Sequence, residues 1–202
     1  MFSYISRQTS LIALPEKEII VIIYQTLKIL DYLHNDLKII HRDLKLDNLL
    51  MEIPIPFSKI YLCDFGIAKQ LYSLNQRTNS LVGTLEYSAP EVFENQFTNY
   101  DYKCDMWSLG VICYILCSGI SPFFSYNGKI DYVKKAKFNH DLQLSIPQLK
   151  NVSSGAKDFI TRLIQFNPSE RMDTTACFKH PWISENSYLL KRIYQERILL
   201  SK

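Results

Sequence analysis

The sequence lacks any apolar run long enough to cross a bilayer. Its most apolar uninterrupted stretch, residues 19 to 24, falls far short of the roughly 20 residues a spanning helix needs, so no membrane span is expected. Blocks of like charge are also missing. Its 23 Lys and Arg against 20 Asp and Glu leave a formal charge of +3, scattered along the chain, which argues against a nucleic-acid or anionic-membrane surface. Paired cysteine spacing is absent as well. Five cysteines, Cys63, Cys104, Cys113, Cys117 and Cys177, are an odd number without a secretory context, so reduced thiols and an intracellular, cytoplasmic setting are expected. The opening MFSYISRQTSLIALPEKE reads neither as a signal peptide nor as an anchor, because Pro15, Glu16, Lys17 and Glu18 interrupt its short apolar patch. No repeat, low-complexity tract or interdomain linker is visible.

What is present is a chain of 202 residues, 47% hydrophobic, enough for one well-filled domain. From Pro15 the run PEKEIIVIIYQTLKILDYLHND sets Ile19, Ile23, Leu27, Leu30 and Leu33 near helical spacing, and a proline followed by acids suits a helix start. Farther on, LLM and KIYLC are separated by the proline-broken IPIPFS, which predicts two small strands flanking a loop. MWSLGVICYILCSG is apolar nearly all round, as a helix at a domain centre would be. SSGAKDFITRLIQF and TACFKHPWI read as further short helices, and residues 66 to 88 as a polar, poorly periodic segment.

Three motifs carry chemistry. HRDLKLDN spans residues 41 to 48, Asp64-Phe65-Gly66 follows the second predicted strand, and Ala89-Pro90-Glu91 comes after the polar segment. His41-Arg42-Asp43 alone would suit a capped turn with a surface ion pair. In this order and with this continuation, the three form the signature set of protein kinases. The chain resembles the C-terminal lobe of a eukaryotic protein kinase of the serine/threonine class, closest to the calcium/calmodulin-dependent kinase group. The resemblance runs from about residue 1 to Ile183. It implies a mainly α fold with a few short β-strands, residues 1–183 as a partial kinase domain, and residues 184–202 as a short amphipathic tail.

The resemblance also implies roles. Phosphoryl transfer needs an aligned hydroxyl, neutralised phosphate charge and bound magnesium rather than covalent work by the protein. Asp43 is the expected base, with Lys45 facing the transferring phosphate. Asn48 and Asp64 are the expected oxygen ligands of Mg2+, and Leu50 packs under the adenine ring of ATP; a structural role for Lys45 and an ordinary core role for Leu50 are the alternatives. Glu91 and Arg171 match a buried ion pair, and Asp105 matches an aspartate that holds the catalytic-loop backbone, with Trp107 nearby. Thr84 matches a threonine that contacts the catalytic aspartate and lysine. Ser80, with Ser73 and Thr78 in the same segment, stands where an upstream kinase would place an activating phosphate against Arg42 and Lys69. His180 reads as a packing residue, and His34 and His140 carry no argument.

No Gly-x-Gly-x-x-Gly loop and no lysine in a Val-Ala-Ile-Lys context precede the opening helix. The N-terminal lobe is thus expected to be absent from this sequence, whether by truncation or through an incomplete gene model. The leading expectation is a serine/threonine kinase that transfers the γ-phosphate of ATP to protein hydroxyls, present as a partial domain. Its rival is a non-catalytic binding module or decoy. A nucleic-acid binder has no basic stripe behind it.

Overall fold

The computed structural model describes residues 14–71, 83–93, 101–123 and 144–199. The first helix among the described residues, α1 (Glu16–Asp31), starts behind Pro15 with Glu16 and Glu18 in its first turn and Lys28 in its last, so its charges complement the helix dipole. A π-helical turn, Tyr32–Asp36, follows directly. Ile19, Ile23, Leu27, Leu30 and Leu33 are all buried, as their spacing predicts.

The described residues form four very short strands. β1 (Ile39–Ile40) pairs antiparallel with β4 (Lys69–Gln70), and β2 (Leu49–Met51) pairs antiparallel with β3 (Ile60–Leu62), with Leu50 opposite Tyr61. The β2–β3 hairpin is the one predicted around the IPIPFS loop. It is fixed to α1 by Gln25, whose Nε2 donates to the Ser58 carbonyl at 3.0 Å while its Oε1 accepts from Ile60 N at 2.9 Å. The β1–β4 pair falls where the sequence suggested only polar loop on one side. Two residues cannot show a period-2 pattern, so nothing announced it.

After the short helix α2 (Pro90–Phe93) comes α3 (Lys103–Ser118), buried on almost every side. Trp107, Tyr114, Phe123 and Phe159 fill the core around it, with Trp107 stacked on Phe123 at 5.5 Å. Gly110 of α3 faces α4 (Ser154–Leu163), and a methyl group there would stand 2.8 Å from Leu163 Cβ and 2.9 Å from Ile164 Cγ1. Only glycine lets the two helices come this close. Ser153 caps α4 by accepting from Ala156 N, and Asp173 caps α5 (Thr174–Lys179) by accepting from Ala176 N.

His180 does more than pack, contrary to the reading of the sequence. Its Nδ1 accepts from Trp182 N at the start of α6 (Pro181–Ser184), so Nε2 carries the proton and donates to Asp158 at 2.9 Å. Glu16 makes a second long-range clamp. Its carboxylate accepts from Ser153 N, Ser153 Oγ and Trp182 Nε1, joining the start of α1 to α4 and α6. The tail continues as α7 (Ser187–Ile193) and a π-helical turn, Tyr194–Leu199. Leu190 is buried, and the Tyr194 ring meets Tyr24 of α1 edge-on at 6.1 Å. Among the described residues no helix is long and apolar enough to cross a membrane.

Candidate active site

Residues 41 to 48 leave β1, pass through a 3-10 turn (Leu46–Asn48) and enter β2. Leu44 and Leu46 point into the core, which leaves Asp43 and Lys45 at its edge, their side chains only 10% and 20% exposed. The loop is strained at Arg42, whose φ of 71° lies in the left-handed region that side chains disfavour. Asp105 at the start of α3 holds it there. Its Oδ2 accepts from His41 N and its Oδ1 from Arg42 N, each at 2.9 Å, just ahead of Asp43.

Asp105 has a further partner, His34, which the sequence reading passed over. His34 Nε2 donates to Asp105 Oδ2 at 2.8 Å, and both side chains are buried. Burial alone would raise the Asp105 carboxyl, but the bond and charge of His34, with those of His41, hold it below the ordinary value of 3.8. The sequence carried no local signal for this contact, since His34 sits in DYLHND among other polar residues and its partner lies 71 positions away.

Asp43 is the focus of the site. Its Oδ1 accepts from Thr84 Oγ1 at 2.7 Å and Thr84 N at 3.1 Å; its Oδ2 accepts from Lys45 Nζ at 2.7 Å and Asn48 Nδ2 at 3.2 Å. Lys45 Nζ also donates to Thr84 Oγ1 at 3.0 Å, closing a triangle. Burial would raise the Asp43 carboxyl, but bonds from Lys45 and Thr84, the Lys45 charge and the Asn48 amide hold it below 3.8, so it is ionised at neutral pH. Gly83 allows Thr84 to reach it. At φ 107°, residue 83 passes so near the loop that a Cβ would lie 2.7 Å from the Arg42 carbonyl oxygen.

Asn48 Nδ2 also donates to the Asp43 carbonyl at 2.8 Å, which fixes the amide and leaves Oδ1 as the end offered to a cation. Cys63 N donates to Asn48 O at 3.0 Å, so the Asp64 backbone begins beside Asn48. Asp64 is exposed, has φ 64°, and accepts from Gly66 N at 3.3 Å. One amide oxygen and one carboxylate suit a hard cation that keeps waters and phosphate oxygens as its other ligands. The described residues hold no cluster of three or more His, Cys, Asp or Glu able to bind a metal. Phe65 lies edge-on against the His41 ring at 4.9 Å, and Leu50 is exposed on the outer face of β2.

Asp43, Lys45, Asn48 and Thr84 thus share one network, with Asp64 and Leu50 beside it but not hydrogen-bonded into it. Ser73, Thr78, Ser80 and His140 lie outside the described residues. Behind the site, Arg171 Nη1 and Nη2 donate to the two Glu91 carboxylate oxygens at 2.6 and 3.0 Å. Remaining guanidinium donors reach the carbonyls of Lys103 and Gln165, and the Arg171 carbon centre lies 5.1 Å from the Trp107 ring.

A charged carboxylate held by a lysine, a threonine and an asparagine, beside an aspartate at a strand end, belongs to the phosphoryl-transfer class of site. The chain is a member of the protein kinase family, whose protein kinase domain model matches residues 1–183. It is 40% identical to the meiosis-specific serine/threonine-protein kinase MEK1 of Saccharomyces cerevisiae over 98% of this chain and 43% of that protein. The meiosis-specific serine/threonine-protein kinase mek1 of Schizosaccharomyces pombe is 38% identical over 98% of this chain and 44% of its own length. An Aurora kinase of Patiria pectinifera is 38% identical over 82% of this chain and 37% of its own length. The chain therefore spans less than half the length of these relatives.

Proposed function

We propose that this chain is the substrate-side lobe of an ATP-dependent serine/threonine protein kinase, with residues 1–183 as its part of the catalytic domain and residues 184–202 as a tail. The observation that carries this reading is the Asp43 carboxylate, ionised and aimed by Lys45, Thr84 and Asn48. Asp43 orients the hydroxyl of a protein serine or threonine and takes its proton, while Lys45 faces the phosphoryl group in transfer. Asn48 Oδ1 and Asp64 would hold Mg2+, which when bound neutralises phosphate charge, and Leu50 offers an apolar floor for the adenine of ATP. A lysine at position 45, two residues after the base, resembles the serine/threonine class rather than the tyrosine class, which supports serine and threonine acceptors.

A phosphate on Ser80, added by an upstream kinase and met by Arg42 and Lys69, is the regulatory part of this reading. Both meiosis-specific relatives are named as serine/threonine kinases, which supports the substrate class.

The test joins the chain to a kinase N-terminal lobe carrying the glycine loop and lysine, and follows phosphate transfer from ATP to serine, threonine and tyrosine peptides. Transfer to serine and threonine, lowered about 10²- to 10⁴-fold by Asp43→Asn, is expected. Peptide binding without transfer, with several compatible lobes, would favour the binding-module reading.

A further inference from the structure

Far from the network around Asp43, one lysine keeps company with aromatic rings alone. Lys28 is exposed in the last turn of α1, and its ammonium makes no hydrogen bond or ion pair among the described residues. Nζ stands 5.1 Å from the centroid of the Phe178 ring on α5 and 5.9 Å from that of Tyr24, one turn back on α1. Both lie within the roughly 6 Å at which a cation is drawn to the face of a ring. Phe178 meets Tyr24 edge-on at 5.9 Å, and Tyr24 meets Tyr194 of the tail at 6.1 Å, so the three rings form one cluster. Tyr194 lies beyond residue 183, where the family match ends, so the tail adds the third ring.

This face of α1 is not the one that holds the hairpin. Gln25 binds Ser58 and Ile60, whereas Tyr24 and Lys28 lie about 100° round the helix, toward α5. Other lysines are placed differently. Lys45 donates to Asp43 and Thr84, Lys38 to the Asn35 carbonyl and Lys103 to the Arg171 carbonyl, so a methyl group on any of these would compete with a hydrogen bond. On Lys28 methyl groups would displace only water and would rest against ring faces. They would also keep the charge, which α1 uses, because a cation in the last turn faces the negative end of the helix dipole. Acetylation would remove both that charge and its attraction to the rings.

We infer that Lys28 is a methylation site, its methylated ammonium seated on Tyr24 and Phe178. In the transfer Lys28 first gives a proton to solvent, and the Nζ lone pair then forms an N–C bond to the methyl group of a methylsulfonium donor. The S–C bond breaks with its electron pair going to sulfur, and the donor leaves as a thioether. The product carries the same positive charge with fewer N–H donors to hydrate. Seated on both rings, it fastens α1 to α5 and, through Tyr24, to the tail. The site does not depend on the kinase reading.

The experiment compares 202-residue chains made with lysine, trimethyllysine or acetyllysine at position 28, and with trimethyllysine at the exposed position 150 as a control. The methyl protons at position 28 should be shifted upfield of those at position 150 and show nuclear Overhauser contacts to the Phe178 and Tyr24 rings. Trimethylation at 28 should raise Tm by about 1–3 °C and acetylation should lower it, with no change from position 150. Phe178→Leu should reduce both the upfield shift and the gain in Tm. Mass mapping of the protein taken from its own cells should find methyl groups on Lys28. Methyl protons without a ring shift, an equal gain in Tm at position 150, or a cellular Lys28 that is unmodified or acetylated would each overturn the proposal.

Discussion

His34 and Asp105 are joined by a 2.8 Å hydrogen bond beneath the catalytic loop, on the same carboxylate oxygen that receives the His41 amide. The loop strain at Arg42 is therefore held by a buried carboxylate that is itself held. Asp105→Ala leaves the His34 side chain and two backbone donors without their acceptor and is expected to cost about 3–5 kcal/mol. His34→Ala keeps the loop's acceptor and should cost less, about 1–3 kcal/mol. Urea unfolding of both variants checks the order; equal losses would show that His34 and Asp105 act as one unit.

Glu91 and Arg171 form a two-pronged pair with Arg171 buried. Removing one partner leaves the other charge stranded, so Arg171→Met or Glu91→Leu alone should cost about 3–5 kcal/mol. The double variant Glu91→Leu with Arg171→Met should lose less than the two single losses added together. A double-mutant cycle in urea measures that difference, and strict additivity would contradict the coupling.

Stability should fall in acid, and Glu16 should set where the fall begins. Burial pushes its carboxyl up, but hydrogen bonds from Ser153 and Trp182 bring it below the ordinary 4.5. As pH drops, the unfolded chain takes up this proton first, so the stabilisation is complete well above 4.5 and disappears as pH falls through the folded-state value. Asp105 and Asp158, both lowered from 3.8, extend the loss to lower pH. Glu16→Gln should flatten the upper part of the curve, read as unfolding midpoints from pH 7 to pH 3.

At Gly110 the expected change is purely steric. An added methyl at 2.8 Å from Leu163 Cβ and 2.9 Å from Ile164 Cγ1 meets packed side chains on α4. Gly110→Ala should therefore destabilise by about 1–3 kcal/mol, although alanine is the better helix former. A thermal melt of the variant above that of the parent would show that the helices can part at little cost.

The long helices and the β2–β3 hairpin were legible because apolar spacing is set by the element that must bury it. Asp43, Lys45, Asn48 and Thr84 were legible as motif positions, and the contacts among them follow. His34, the His180 tautomer and the Glu16 clamp were not, since each depends on which distant segments meet. Glu16 and Trp182 are neighbours only once α1 and α6 have packed. The β1–β4 pair escaped for another reason: two-residue strands arise from where their flanking chain is fixed, not from their own residues.

Helix α3 has almost no side turned to solvent. A segment covered all round offers nothing for a substrate or partner to read, and nearly any substitution in it shifts the balance between folded and unfolded chains. Unfolded molecules are cleared by chaperones and proteases, so a destabilisation of 1–2 kcal/mol is enough to change abundance several-fold. Away from Asp105, which holds the catalytic loop, changes in this helix would therefore act as a dosage control, altering how much of the protein a cell keeps rather than what each copy recognises.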